Sequence, residues 1–389
     1  MLPLSERRGS LEQYRDLETK LGEIAEEIRD QGRKRRLLAK VFKGLKENYS
    51  LAHRDNGILE RELVYDVEDY PLHNLTVAGV DGGVLSKSLH GLDLILVRAV
   101  SSVFEYEGGS LNDVEYHPSQ MPVPELMNVQ DPVDSREFDV LVNLKRQLEE
   151  VRTANEVVKY RNPDAMMMDG SVVPQYSNHI SSDTAKALYM ELLNSYLDFY
   201  EYCSNNGILL IGAVKDSRST RMARIFREKI FPEVLDRADL TRNELSLLEN
   251  NKDALIKSRD TRFLDCLLEK GERTFVFNYS DSPAPLLEDL GPWRQRIKAF
   301  YVKPVPYDAP VRIEFLSGSE SIGEETSLVA GLLSALSAGH ESCALPTVLI
   351  EADARASLAE EEISILCDNI SDRLDFTTRL TLRGDRRPF

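Results

Sequence analysis

At 389 residues, with 42% hydrophobic and 29% charged residues, the chain has room for one large globular domain or two ordinary ones. Its net charge of -17 excludes a general polyanion binder, because counterion release needs clustered Lys and Arg, but leaves room for a nucleic-acid enzyme with local basic patches or bound cations. Four scattered cysteines without a C-x-x-C, no apolar signal core and no apolar run near ~20 residues argue against a disulfide scaffold, a zinc site and a membrane span, so a cytoplasmic protein is expected.

Residues 5 to about 50 read as one long helix, uninterrupted by proline from Leu4 to Ser50. Leu17, Leu21, Ile24 and Ile28 alternate by four and three, the spacing of a coiled-coil seam. Arg33, Lys34, Arg35, Arg36, Lys40, Lys43 and Lys46 follow without an acid, either as a solvated face or as an arm that tracks phosphate or binds a partner. We therefore set residues 1–60 apart as an N-terminal helical arm and 70–389 as the main domain.

Three strands are expected over 75–117: one ending at Asp81, a central one from Leu92 to Phe104, and one from Ser110 to Tyr116. Connections at Gly82-Gly83 and Gly108-Gly109 make them an antiparallel meander. Proline-rich residues 119–134 read as a loop. A helix then runs from Arg136 to about Tyr160 on the stripe Leu141, Leu144, Leu148, Val151, Val158.

The order becomes strand 165–169, helix 183–204, strand Ile208 to Val214, helix Thr220 to Ile230. A meander followed by such alternation predicts an α/β fold, a mixed sheet flanked by helices. Residues 233–272 are charge-rich and helical and read as an insertion. Strands resume at Thr274–Tyr279, Ile297–Lys303 and Val311–Leu316, followed by a helix from Glu325 to Leu336. A last short strand, Val348–Glu351, runs into a helix carrying Asp353.

The chemistry centres on Asp164-Ala-Met-Met-Met-Asp-Gly-Ser-Val-Val-Pro174, an apolar strand that ends in an acid followed by Gly-Ser. Leu75-Thr-Val-Ala-Gly-Val-Asp-Gly-Gly83 repeats the design. Each Asp-Gly taken singly reads first as a turn. Together, Asp81, Asp169, Asp353 and a glutamate on the 136–160 helix suggest carboxylates converging at neighbouring strand ends, about 4.8 Å apart. Like charges so close repel unless a cation neutralises them, and hard oxygen ligands suit Mn²⁺ or Mg²⁺. Two such ions about 3.5–4 Å apart can drive phosphodiester hydrolysis, with a carboxylate pair acting on sugars as the competing chemistry.

Lys215-Asp-Ser-Arg218 follows a strand, where Lys215 could hold a phosphate as a point charge. Arg218, Arg221, Arg224 and Arg227 recur every three residues, as a solvated stripe or as a phosphate contact. No P-loop and no H-E-x-x-H is present. His179 and His340 have no ligand-spaced partner, Met166 to Met168 read as core, and Trp293 stands alone.

Val80-Asp-Gly-Gly83, Met168-Asp-Gly-Ser171, Lys215-Asp-Ser-Arg218 and Pro346-x-x-Leu-x-x-Ala-Asp353-x-x-Ala356 resemble, in order and separation, the motifs of the NurA nuclease family over about residues 75–370. The resemblance implies an RNase H-like core and a Mn²⁺-dependent nuclease (or Mg²⁺-dependent) that cuts single-stranded DNA and resects 5′ ends. It further implies a homodimer in archaeal DNA-end resection beside the hexameric HerA ATPase. Carried over by position, Asp81, Asp169 and Asp353 match family metal ligands. The helix glutamate matches Glu150, with Glu149 the alternative. Lys215, Arg218, Arg221 and Arg224 would position the DNA backbone. Two departures stand out. Gly83 replaces a common Ser, and Leu345-Pro346 replaces the family's Tyr-Pro, leaving Tyr301 or another group to substitute.

Overall fold

The protein is described from a computed structural model that covers residues 4–45, 57–175, 179–236, 240–280, 285–318 and 321–374. Lys46 and the rest of the long helix expected up to residue 50 lie outside the described residues. The strands are β1 (Val64–Asp66), β2 (Leu75–Leu89), β3 (Leu92–Glu107), β4 (Ser110–His117), β5 (Glu125–Val129), β6 (Ala165–Asp169), β7 (Leu209–Val214), β8 (Glu272–Thr274), β9 (Phe277–Asn278), β10 (Ile297–Lys303) and β11 (Val311–Leu316). The first helices are α1 (Leu4–Gly44), α2 (Ser135–Arg161), α3 (Asp183–Asn206) and α4 (Arg221–Ile225). A π turn, Phe226–Ile230, leads into α5 (Phe231–Leu235), α6 (Arg242–Asn251), α7 (Asp253–Ile256) and α8 (Asp260–Leu267). Last come α9 (Pro285–Asp289), α10 (Ile322–Ser337), α11 (Thr347–Ala356) and α12 (Glu360–Ser371).

The chain divides into two compact units, one over 1–52, 62–64 and 216–269, the other over 53–61, 65–215 and 270–389. The larger carries the sheet, in the order β1-β8-β10-β11-β7-β6-β2-β3-β4, with β5 on β3 and β9 on β10. Strand β6 runs parallel to β2 and β7, whereas β2–β3, β3–β4, β7–β11 and β10–β11 are antiparallel. The sheet is mixed, as expected.

Side-chain alternation builds a core on each face of the sheet. Ala78, Val80, Met166 and Met168 pack with Leu141, Leu148 and Val151 of α2 and Leu192 and Phe199 of α3. Val77, Ala165, Met167, Ile211 and Ala213 pack on the other side with Val329 and Leu333 of α10 and Val348 and Leu349 of α11. The three methionines are therefore core, split between the faces. Helix α2 starts at Asp134, whose carboxylate accepts from the Arg136 and Glu137 N–H groups at 2.9 Å, and stops at left-handed Asn162.

Four local expectations are corrected. Strand β2 does not end at Asp81 but runs on to Leu89, with Gly82 opposite Ala99 and Gly83 opposite Arg98. Its turn lies at His90-Gly91, where Gly91 adopts φ +85°. The 119–134 segment holds edge strand β5, because Glu125 to Val129 find a partner in the first half of β3. The expected strand 274–279 is split into β8 and β9. Val348–Glu351 is helix, not strand: Val348, Leu349, Ala352 and Ala356 make a buried stripe at helical spacing, and packing outweighs the β-preference of Val-Leu-Ile.

In the smaller unit, Phe42 of α1 meets Phe226 and Phe263 edge-on at 5.1 and 6.2 Å, with Leu38, Val41 and Leu45 buried around it. Buried Asp260 accepts from the Ala223 N–H at 2.8 Å. The basic run is partly neutralised here, Arg33 and Lys34 by Asp30 at 2.7 and 2.6 Å and Lys43 by Glu269 at 2.8 Å.

Candidate metal centre

Asp81, Asp169 and Asp353 each bring a carboxylate oxygen to within 4.8 Å of the others. The sheet places the first two. Val80 is level with Met168 across the parallel β2–β6 pair, so the acids that follow them lie side by side. The third comes from α11, which rests directly on β2 because Gly79 has no side chain. A Cβ there would meet Leu349 and Val348 at 3.1 Å. The Ser102 hydroxyl of β3 donates to the Val348 carbonyl at 2.6 Å and ties down the same turn. Asp353 then lies one turn further on, facing the two sheet acids.

Burial and charge both act on these groups. Burial, the neighbouring Asp169 and a hydrogen bond with Asp353 raise the Asp81 carboxyl to about 7, against the N–H of Gly82 that donates to it at 2.8 Å. Burial also raises Asp169, despite Lys215 beside it. Lys215, just past the end of β7, contacts Asp169 and stands 3.7 Å from Asp353. Burial pulls the Lys215 ammonium down, but Asp169, Asp353 and Asp81 outweigh it and the net shift is upward.

Glu150 stands outside the group of three. It lies against Gly82, where an added Cβ would meet its Cγ and Oε1 at 2.7 Å. Its partner is Arg146, one turn earlier on α2. Burial raises the Glu150 carboxyl to about 8, with Asp81 and Asp169 adding to the effect and Arg146 opposing it. Glu149 points into a different network, 2.7 Å from Lys145 and 2.8 Å from Arg152. Of the two candidate glutamates, only Glu150 borders the aspartates.

The other candidates are spread more widely. Arg218, Arg221 and Arg224 belong to the smaller unit. Arg218 and Arg224 are exposed, Arg221 is half-buried, and Arg227 pairs with Glu228. A three-residue repeat drifts around a helix, so these arginines do not share one face. Leu345 is half-buried against the Val348–Leu349 core. Tyr301 is fully buried, stacked 6.4 Å from Phe277 and hydrogen-bonded to Arg312.

Several supporting residues escaped the sequence reading. Buried Glu314 accepts from the Ser171 hydroxyl at 2.5 Å and from Arg312 Nε at 2.7 Å. Ser171 Oγ in turn accepts from the Val173 N–H at 3.0 Å. The chain leaving Asp169 is thereby pinned to β11. Gly212 leaves room for it, since a Cβ there would meet the Gly170 carbonyl oxygen at 2.5 Å. Arg98, buried in β3, donates to the Ser357 carbonyl at 3.0 Å, the Pro122 carbonyl at 2.9 Å and Glu362 at 2.6 Å, clamping the end of α11. The signal was present: a charge inside an otherwise apolar strand must be paired.

The donor set fits a hard divalent cation. Three carboxylate oxygens converge, two of the acids are raised by burial without enough positive charge to satisfy them, and the third stays open to solvent, Asp353 being 59% exposed.

Comparison with known proteins agrees. No curated protein matches. Among solved structures, the NurA nuclease from Sulfolobus solfataricus superposes with a TM-score of 0.53 at 14% identity, covering 93% of this chain and 99% of that one, and so shares its fold, an RNase H-like mixed sheet. A structure of NurA with manganese gives a TM-score of 0.46 at 12% identity, over 92% and 99%. One of NurA bound to dAMP and manganese gives 0.42 at 12%, over 81% and 90%. The NurA domain model matches residues 75–358, which takes in all three aspartates, Glu150 and Lys215, and the chain belongs to the NurA nuclease family.

Proposed function

We propose that this chain hydrolyses DNA phosphodiester bonds at the Asp81–Asp169–Asp353 cluster, with Mn²⁺ or Mg²⁺ held there and Glu150 completing the ligand set. The observation that carries the reading is the gathering of three carboxylates within 4.8 Å around a single ammonium. Bound divalent ions supply an activated water and stabilise charge on the departing oxygen. The protein does the rest. Asp81 and Asp169 are fixed by the sheet, and Arg146 holds Glu150 close by. Lys215 is at hand to orient a phosphate oxygen once cations take over the aspartates. Arg218, Arg221 and Arg224 would bind the strand's backbone, which carries no sequence information.

Family membership supports single-strand endonuclease and 5′–3′ exonuclease activity, a homodimer, and DNA-end resection beside a HerA-type hexameric ATPase. No helix among the described residues is long and apolar enough to cross a membrane.

The test is cleavage of 5′- and 3′-labelled single strands with and without Mn²⁺, by the native chain and by Asp81→Asn and Asp169→Asn. We expect at least a ~10²-fold loss in each variant, a cooperatively folded state in EDTA, and loss of calorimetric Mn²⁺ binding. Full cleavage by either variant removes the assignment. A second reading, a partner-docking subunit with a weakened site, is favoured by Leu345, which stands where the family resemblance implies a tyrosine, and predicts Mn²⁺ binding without turnover.

A further inference from the structure

The first half of α1 carries an apolar seam that the described residues of its own chain leave open. Tyr14, Leu17, Leu21, Ile24 and Ile28 are 69, 53, 56, 54 and 62% exposed. Between Tyr14 and Arg29 only Ala25 is even half-buried. From Leu38 onward the same helix is buried in the smaller unit, so the exposed turns extend an anchored helix. A run of large apolar side chains on one exposed face marks an interaction surface. Its 3-4-3-4 spacing names the partner's shape, another helix carrying the same repeat.

Charge selects which helix and which direction. Place Tyr14, Leu21 and Ile28 at a and Leu17, Ile24 and Gln31 at d of the heptad. Lys20 and Glu27 then fall at g, Glu18 and Ala25 at e. Parallel pairing sets each g beside the e position five residues on, opposing Lys20 to Ala25 with no ion pair. Antiparallel pairing sets g beside g, so Lys20 of each copy meets Glu27 of the other, twice across one two-fold axis. The layers then oppose Leu21 to Ile24, Leu17 to Ile28 and Tyr14 to Gln31, and read identically from either copy. Among the described residues of its own chain Glu27 meets only Lys257, at 3.4 Å with both side chains at least 60% exposed, a contact too open to hold it.

We infer that α1 pairs antiparallel with α1 of a second copy of this chain through the Tyr14–Gln31 seam. This rests on the homodimer reading above and supplies one of its contacts. The seam is about two heptads long, so the association is concentration-dependent.

The test is sedimentation of the full chain over a concentration series. The native chain should associate, Leu21→Glu/Ile28→Glu should dissociate at least about 100-fold more readily, Lys20→Glu about 5- to 10-fold more readily, and Lys20→Glu/Glu27→Lys should be restored. Direction is read by oxidative cross-linking in a background with Cys266, Cys343 and Cys367 changed to Ser. Antiparallel pairing links copies of Leu17→Cys/Ile28→Cys but not of Ile28→Cys alone, whose two sulfurs sit about 16 Å apart along the helix. Cross-linking of the single variant overturns the antiparallel register. A dimer unchanged by Leu21→Glu/Ile28→Glu overturns the seam and leaves the homodimer standing on another surface. A native chain that is monomeric throughout overturns both.

Discussion

Lys215 touches Asp169 and stands 3.7 Å from Asp353, one ammonium serving three clustered carboxylates. An ammonium in that position would compete with a divalent cation for the same carboxylates, and without them as partners it would be free to hold a phosphate oxygen. Lys215→Ala should therefore bind Mn²⁺ at least as tightly as the native chain in calorimetry, while kcat for single-strand cleavage falls about 10- to 100-fold. Loss of Mn²⁺ binding in this variant would contradict the competition.

The raised carboxyls set a pH dependence. Asp81 and Glu150 lie near 7 and 8 when folded, against ordinary values of 3.8 and 4.5. The native state thus holds more protons than the unfolded chain between about pH 4 and pH 8, and stability from these groups, full below about pH 4, is lost progressively as pH rises through the folded values. In EDTA the melting temperature should fall between about pH 5 and pH 8 and level off above. Saturating Mn²⁺ should abolish the fall, because the ion replaces the protons. A flat EDTA profile would mean that the acids are already neutralised by other groups.

Gly82 and Gly83 should respond differently to the same added methyl. In Gly82→Ala the Cβ meets the Glu150 side chain at 2.7 Å, and in Gly83→Ala it meets the Ala356 carbonyl oxygen at 2.2 Å. A side chain can swing aside, but a helix backbone must shift. We expect Gly82→Ala to lose activity with a small change in melting, and Gly83→Ala to lose about 1–3 kcal/mol of stability as well. Chemical denaturation of the two variants side by side decides it.

The Arg312–Glu314–Ser171 chain carries a further expectation. Glu314→Ala strands a buried guanidinium and should cost about 3–5 kcal/mol. Ser171→Ala removes one hydroxyl and should cost about 1 kcal/mol, with Mn²⁺ affinity weakened because the segment leaving Asp169 loosens. An unaltered Mn²⁺ isotherm for Ser171→Ala would assign the network to folding alone.

The residues themselves announced different parts of this arrangement with different force. Ala165 to Asp169 was legible because an apolar run stopped by an acid and a glycine has few alternatives. Asp353 was legible as a helical residue, but the turn before it was not, since Val348-Leu-Ile350 carries β-preference locally and its packing on Gly79 makes it helix. Gly82-Gly83 suggested a turn, yet here the missing side chains admit Glu150 and Ala356 against an unbroken strand. Arg98 signalled that it must be paired, but which groups pair with it, and that Glu314 reaches Ser171, was hidden because those partners lie far along the chain and leave no local pattern.

Asp353 follows Asp81 by more than two-thirds of the polypeptide, and it joins the two sheet acids only when α11 docks on Gly79 and is clamped by Arg98. A ribosome-bound nascent chain can thus complete strands β2 and β6 while still lacking the last acid. The order of the acids along the chain leaves the three-carboxylate cluster unassembled until α11 has been made and docked.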